Sequence, residues 1–144
     1  MKLAICGSRH LKQNFDLNYL ESIINKLNIS VTEIVSGGAK GADKVAELYA
    51  AKQSLKLKIF HAQWQTFGIS AGTVRNKQVV DYANYVAVLW DGKSKGTRHV
   101  IEYSGETGKP IEIIILPQQY FKAEKPKRLK GILKVREDNL TVLL

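Results

Sequence analysis

Residues 34–43 read IVSGGAKGAD, and this stretch decides the fold that the sequence predicts. An apolar run ends at Ser36, three glycines fall within residues 37–41, and a helical pattern begins near Asp43. Glycine at such a strand-to-helix junction can serve merely to turn the chain. It also lets a ligand approach the backbone closely, and an anion is the usual ligand at a helix N-terminus. The stretch therefore predicts a βα junction that is either a plain turn or an anion-binding loop.

Strand and helix patterns alternate on both sides of this junction. Strand patterns occupy residues 2–6, 31–35, 55–60, 85–90 and 111–116, and helical patterns occupy residues 17–27, 43–52, 74–83 and 97–107. Most of the strands are continuous apolar runs, which are typical of strands covered on both faces. Residues 55–60 instead alternate apolar side chains with lysine, which indicates a strand near a sheet edge. The sequence thus predicts an α/β fold, a parallel sheet flanked by helices on both faces.

The alternating pattern stops at Pro117. Beyond it, a basic connection that contains proline leads to two short apolar segments around a polar turn. The length of 144 residues fits a single domain with its own core. We therefore expect residues 1–117 to form the α/β domain. Residues 118–144 are expected to form a basic C-terminal extension, a small β-hairpin packed on the same domain.

Basic side chains outnumber acidic ones, at 22 Lys and Arg against 13 Asp and Glu, which gives a net charge of +9. The excess concentrates in residues 122–136, where seven basic side chains accompany one acid, Glu124. Such a field favours phosphate-bearing partners, either nucleotides or nucleic acid. A run of charged residues is also common on a solvated surface. The run alone therefore does not show whether this segment binds a phosphate-bearing partner or is only exposed to solvent.

Composition also excludes several classes of protein. No apolar run approaches the roughly 18 to 20 residues that a membrane span needs, and the apolar part of the N-terminus is too short for a signal peptide. The single cysteine, Cys6, precludes an internal disulfide and fits a reducing compartment. We expect a cytoplasmic protein without a membrane partner. Cys6 and the three histidines show no ligand spacing, so no metal site is predicted.

Small residues, hydroxyls and cations follow each of the first four predicted strands. In open parallel sheets, ligands bind outside the carboxyl ends of the strands, where these loops meet. Glycine amides and helix N-termini suit phosphate oxygens, and arginine can donate two hydrogen bonds to them. Trp64, in the third crossover, could stack on a base or pack in the core. The chain contains neither G-x-x-x-x-G-K-[ST] nor G-x-G-x-x-G, so no P-loop and no standard dinucleotide fingerprint is predicted, and no cofactor is inferred.

Taken in order, these loops resemble one known superfamily. The segments GSR, SGGAKGAD, AGTVRN after a Trp, and WDGKSKGTRHVIEYSGETGKPI are similar to the SLOG superfamily, in its YspA-like, cpYpsA-related branch. The resemblance covers about residues 2–116 and extends more distantly to LONELY GUY type phosphoribohydrolases and DNA-processing protein A. It implies a Rossmann-like domain that binds a nucleotide or a nucleotide-derived small molecule, such as ADP-ribose or an NAD-related compound. It is also compatible with a homo-oligomer.

The loop chemistry and the resemblance together define a set of candidate ligand-binding residues. They are Gly7, Ser8, Arg9, Ser36, Gly37, Gly38, Ala39, Gly41, Asp43, Trp64, Arg75, Asn76, Ser94, Gly96 and Thr97. Two phosphate loops are expected, one after the second strand and one after the fourth. Asp43 has an alternative role, in which it supports the first turn of the following helix. His99 is either a site residue or an exposed polar residue, and Lys40 meets either phosphate or water.

Three functions remain open at this point. The leading hypothesis is a nucleotide-ligand binding protein that acts as a sensor, a sequestering protein or a processing protein. The second is an N-glycosidase on a nucleoside monophosphate, with Asp91 or Glu102 as acid or base. The phosphoribohydrolase motif G-T-x-E-E is absent, however, because Gly96-Thr97 is followed by Arg98, His99 and Val100. The third hypothesis is single-stranded DNA binding through the basic C-terminal segment.

Overall fold

The computed structural model describes residues 1–123, in which five strands alternate with helices. The strands are β1 (Lys2–Gly7), β2 (Glu33–Ser36), β3 (Lys56–Ile59), β4 (Tyr85–Trp90) and β5 (Ile111–Ile115). The α-helices are α1 (Leu17–Lys26), α2 (Ala42–Lys52), α3 (Trp64–Phe67), α4 (Ala71–Tyr82) and α5 (Lys95–Thr107). Short 3₁₀ turns occur at Gly68–Ser70 and Gln118–Tyr120. No helix in this part of the chain is both long enough and apolar enough to span a bilayer.

The strands form one parallel sheet in the order β3-β2-β1-β4-β5. β3 lies at an edge, as the lysine alternation of residues 55–60 predicts. The chain moves outward from β1 to β3 and then crosses back, so β4 pairs with the other side of β1. The direction of winding therefore changes between β1 and β4. Ligand sites of open α/β sheets lie at the carboxyl ends of the strands at this switch point.

Two apolar layers cover the two faces of the sheet. On one face, Leu3 and Ile5 of β1 pack with the buried side chains of α1 and α2, such as Leu20 and Val45. On the other face, alternate β1 residues pack with Val79, Val80 and Val100 of α4 and α5. Side chains of one strand alternate between faces, so β1 contributes to both layers. The predicted class, an α/β Rossmann-like sheet with helices on both faces, is confirmed.

Several boundaries differ from the sequence prediction. β2 begins at Glu33 rather than at residue 31, although the Thr32 amide still donates to the Met1 carbonyl at 2.9 Å beside the start of β1. α4 begins at Ala71, three residues earlier than predicted, since this small side chain is buried. The four-residue helix α3 was not predicted. It buries none of its side chains, so it carries no apolar periodicity.

The chain beyond β5 returns along the loop that follows β1. The Lys12 amide donates to the Tyr120 carbonyl at 2.9 Å, and the Lys122 amide donates to the His10 carbonyl at 2.8 Å. Leu11 and Phe121 form an antiparallel bridge between these hydrogen bonds. The first residues of the C-terminal extension are thus fixed beside the carboxyl end of β1. The predicted β-hairpin lies outside the described residues.

Candidate functional site

A cleft of about 440 Å³ opens at the switch point of the sheet. Its walls come from four segments: the loop after β1, the loop after β2, the start of α4 with the turn before it, and the β4–α5 loop. Most of the predicted site residues line it, namely Gly7, Arg9, Gly37, Ala39, Asp43, Arg75, Asn76, Ser94, Gly96 and Thr97, together with the catalytic candidate Asp91. The loops singled out in the sequence therefore surround one cavity.

The remaining candidates lie outside the lining of this cleft. They are Ser8, Ser36, Gly38, Gly41, Trp64 and Glu102. Trp64 is 54% exposed, so it is not a core residue, and Glu102 is exposed on α5. Ser8 and Ser36 are fully buried behind the loops and hold them in place. The glycosidase hypothesis thus keeps one of its two candidate carboxylates in the cleft, that of Asp91.

Two amides of the glycine loop after β2 donate to side chains of the protein itself. The Gly38 amide donates to the Ser36 hydroxyl at 3.2 Å, and the Ala39 amide donates to Asp43 Oδ2 at 3.1 Å. The Ser36 hydroxyl in turn donates to the Asp43 carbonyl at 3.1 Å. These hydrogen bonds satisfy donors that a phosphate would otherwise need. The loop therefore forms a wall of the cleft, shaped by the Asp43 carboxylate.

Gly37 and Gly41 have different structural roles. A Cβ on Gly37 would lie 2.8 Å from Asp43 Oδ2 and 2.9 Å from Cδ of Arg75, so glycine lets these two side chains converge. A Cβ on Gly41 would overlap the carbonyl oxygens of Ser8 and Arg9. Gly41 also has a φ of 71°, which disfavours side chains. Gly41 is thus required for packing the two loops together rather than for approach to a ligand.

The N-terminus of α5 presents free donors to the cleft. Within residues 1–123, the amides of Lys95, Gly96 and Thr97 have no hydrogen-bond partner, and all three residues line the cavity. Asp91 shapes the preceding turn, because its Oδ1 accepts from the amides of Lys93 and Ser94, each at 2.9 Å. Unpaired amides and the helix dipole together create a local positive potential. This end of the cleft is therefore suited to an anion.

Arg75 is the buried cation of the site, with a residue exposure of 7%. Its Nη1 donates to the Gly37 carbonyl, and its Nε donates to Asn76 Oδ1 at 3.1 Å. Among the described residues no partner occupies Nη2. Asn76 Nδ2 donates to the Gly96 carbonyl at 3.3 Å and lies 3.3 Å from His99 Nδ1. The Arg75–Asn76 pair on α4 thereby links the β2 loop to the first turn of α5.

The two carboxyl groups of the cleft have pKa values that shift in opposite directions. Burial raises the pKa of Asp43, even though the Ala39 amide and the Arg75 charge favour its ionised form. Partial burial of Asp91 acts in the same sense, but hydrogen bonds from the Ser94 and Lys93 amides outweigh it and lower the pKa of Asp91. Asp91 is therefore ionised at neutral pH. Burial also raises the pKa of the Cys6 thiol, so Cys6 stays protonated at neutral pH.

We expect Asp43→Asn to flatten the dependence of stability on pH. A raised folded-state pKa contributes stability below the ordinary aspartate value of 3.8, and that contribution is lost as pH rises through the folded-state pKa. Asparagine cannot ionise, so the variant should gain stability relative to the wild type between acid and neutral pH. Urea unfolding at a series of pH values measures this difference.

The matched control for this experiment is Asp91→Asn, which should show the opposite sign. A lowered folded-state pKa contributes stability above the ordinary value, and that contribution disappears as pH falls through the folded-state pKa. Asp91→Asn should thus be less stable than the wild type at neutral pH and equal to it in acid. Parallel pH profiles for the wild type and Asp43→Asn would contradict the assignment for Asp43.

Sequence reasoning missed several residues that line the cleft. They are Cys6, His10, Ile69, Gly72, Thr73, Val79, Lys93, Lys95 and Val100. His10 directly follows the GSR segment, and Lys93 and Lys95 lie inside the loop before α5, so proximity to a quoted motif was an available signal. Ile69 is 99% exposed, and no sequence pattern distinguishes it from a core residue. The charges of the lining are four Lys and Arg side chains against two Asp, which favours an anionic ligand.

No group of His, Cys, Asp and Glu in residues 1–123 is arranged to hold a metal ion.

Comparison with known proteins identifies a family for this chain. The sequence profile of the YspA, cpYpsA-related SLOG family matches residues 1–67. The Gene 61 protein of Mycobacterium phage D29 is 32% identical over 84 residues, which cover 54% of this chain and 67% of that protein. The chain belongs to the YspA, cpYpsA-related SLOG family.

The resemblance drawn from the loop segments is thereby confirmed. No solved structure gives a significant match to the chain. The SLOG profile covers the loops after β1 and β2 but ends before Arg75 and the first turn of α5. The roles of Arg75 and of the first turn of α5 therefore rest on the geometry of the cleft. Membership of the SLOG family supports a nucleotide-related small-molecule ligand.

Proposed function

We propose that the chain binds a nucleotide or a nucleotide-derived ligand in the cleft, with a phosphate group at the N-terminus of α5. The observation that carries this proposal is the set of three amides, those of Lys95, Gly96 and Thr97, that have no hydrogen-bond partner within residues 1–123 and whose residues line the cavity. Backbone amides at a helix N-terminus bind phosphate oxygens with little reorganisation. Membership of the SLOG family supports the same class of ligand.

Side chains reinforce this phosphate position from both walls. Lys93 and Lys95 flank the α5 turn, and both line the cleft. Within residues 1–123, Nη2 of Arg75 has no hydrogen-bond partner and can donate to a phosphate. A buried guanidinium gives strong, charge-assisted hydrogen bonds to phosphate. The amides of Gly38 and Ala39, in contrast, are already bonded to side chains of the protein. The proposal therefore places one phosphate position at α5 instead of two equivalent loops.

The rest of the cleft suits the nucleoside. A volume of about 440 Å³ lies within the range of small-molecule sites. Val79 and Val100 supply a buried apolar floor, and Ile69 supplies an exposed apolar edge. A nucleobase that packs against Ile69 would remove this side chain from water, which is favourable for an apolar group. Such a ligand would leave its phosphate end towards α5, as the proposal requires.

Isothermal titration calorimetry with AMP, ADP, ADP-ribose and NAD tests the proposal. We expect saturable binding of at least one of these ligands by the folded protein. Adenosine is the matched control, because it keeps the base and the sugar but lacks the phosphate. We expect adenosine to bind at least about tenfold more weakly than AMP, since each charge-assisted hydrogen bond contributes about 1.5–3 kcal/mol. Flat traces for every ligand, or equal binding of adenosine and AMP, would contradict the proposal.

A further inference from the structure

The two edges of the sheet differ in how well they are protected from pairing with another strand. β3, at one edge, carries the exposed side chains of Lys56 and Lys58. Lysine on an edge strand disfavours the addition of a further strand. β5, at the other edge, has the sequence IEIII and leaves Ile113 41% and Ile115 66% exposed. The β5 edge is therefore apolar and carries none of the lysine that protects the β3 edge.

The backbone of β5 presents hydrogen-bonding groups along this edge. The Leu116 amide, just after β5, donates to the Trp90 carbonyl of β4 at 3.0 Å. In a parallel strand, the residues that turn both backbone groups towards one neighbour alternate with residues that turn them away, so the even-numbered residues of β5 face β4. The residues that turn their amides and carbonyls outward are Ile111, Ile113 and Ile115. Within residues 1–123, β5 pairs only with β4, so these groups face an open edge.

This open edge is complementary to itself. If two β5 strands pair antiparallel about a two-fold axis at Ile113, then Ile113 lies opposite its own copy and Ile111 lies opposite Ile115 of the partner subunit. The outward amides and carbonyls of each such pair bond to one another, as in an antiparallel ladder. Cross-strand pairs of β-branched side chains add stability. Glu112, the one charged residue of β5, lies opposite Ile114 of the partner subunit, so the two carboxylates do not oppose each other.

We infer that two copies of the chain form a dimer by pairing their β5 edges. The symmetry of the edge favours a second copy as the partner, because one strand supplies both halves of a two-fold interface. The two sheets then form one continuous sheet, in which the strands of the two subunits run in opposite directions. Each cleft lies at the carboxyl end of its own sheet, and no residue of β5 lines it. The two clefts therefore open at opposite ends of the dimer, away from the interface.

Sedimentation equilibrium of the full chain, from about 1 to about 500 µM, tests the inference. The wild type should approach twice the chain mass of 16.1 kDa as its concentration rises. Ile113→Lys places two ammonium groups opposite each other at the axis, so it should raise the dissociation constant of the dimer at least about tenfold. Leu57→Lys is the matched control, since Leu57 is 39% exposed on the opposite edge strand and its replacement should leave association unchanged.

Hydrogen exchange of the ¹⁵N-labelled wild type locates the interface without a substitution. The outward amides of Ile111, Ile113 and Ile115 should be protected at high concentration and lose protection on dilution. The amides of Glu112 and Ile114, which face β4, should stay protected at both concentrations and serve as the internal control. Thermal unfolding verifies that each variant of the sedimentation experiment is folded.

The outcomes distinguish the inference from nucleotide binding, which calorimetry with AMP measures separately. A wild type that stays monomeric at every concentration would overturn the inference. Association that a folded Ile113→Lys protein retains at full strength would overturn it as well. Protection of the three outward amides in a monomer, independent of concentration, would assign the edge to residues 124–144 of the same chain and also overturn it. None of these results would affect the proposed function, because the interface lies outside the cleft.

Discussion

We expect Arg75→Met to bind the tightest nucleotide ligand found by calorimetry at least about 100-fold more weakly than the wild-type protein does. The substitution removes the only buried arginine among residues 1–123, and its Nη2 is available to a ligand. Loss of one or two charge-assisted hydrogen bonds, at about 1.5–3 kcal/mol each, accounts for a loss of this size. Methionine retains much of the apolar stem of the side chain, so the change is concentrated at the guanidinium.

Two further variants separate charge from geometry at this position. Arg75→Lys keeps the positive charge but loses the planar guanidinium, so we expect an intermediate loss of affinity. Lys77→Met removes a cation from an exposed position on the same helix and should leave binding unchanged. Arg75 also donates to the Gly37 carbonyl, so thermal unfolding must show that each variant is folded. A folded Arg75→Met protein with affinity within about threefold of the wild type would contradict the role of Arg75.

Gly41→Ala lowers the free energy of unfolding by about 2–4 kcal/mol, the largest stability effect that we expect from a single methyl group here. The added Cβ overlaps the carbonyl oxygens of Ser8 and Arg9, and these are backbone atoms that cannot rotate away. The φ of 71° at Gly41 adds backbone strain for any residue with a side chain. Urea unfolding monitored by circular dichroism measures the change.

Gly105→Ala is the matched control for Gly41→Ala. Gly105 lies inside α5, and a Cβ there would meet no atom within 4 Å. Alanine is favoured over glycine in a helix by about 0.5–1 kcal/mol, so this variant should be as stable as the wild type or slightly more stable. If Gly41→Ala unfolded at the same urea concentration as Gly105→Ala, the close packing of the β1 and β2 loops would be refuted.

Most of the sheet was predictable because its signals are local. The uninterrupted apolar run of residues 85–90 becomes the interior strand β4, and the lysine alternation of residues 55–60 becomes the edge strand β3. Strand and helix periodicities are properties of a short segment, and burial on both faces reinforces them. The small helix α3 escaped prediction, since it buries no side chain and therefore has no periodic pattern.

The interior of the site was less predictable because it depends on contacts between distant segments. The sequence of the β2 loop does not reveal that Ser36 and Asp43 take up the amides of Gly38 and Ala39. The glycine pattern alone is compatible with a ligand in the place of those side chains. Likewise, Phe121 lies beside His10 and Asp91 in a small groove and pairs with Leu11, which is a contact between segments far apart in the described chain. Such pairings leave no signal in local composition.

The central claim is that the phosphate of the ligand is held by the first turn of α5. A titration of ¹⁵N-labelled protein with AMP, followed in ¹H–¹⁵N correlation spectra, tests it most directly, because it reports on each amide separately. The largest downfield proton shifts should occur at Lys95, Gly96 and Thr97, while Gly38 and Ala39 should shift little. Shifts concentrated at Gly38 and Ala39, with the α5 amides unchanged, would contradict the claim.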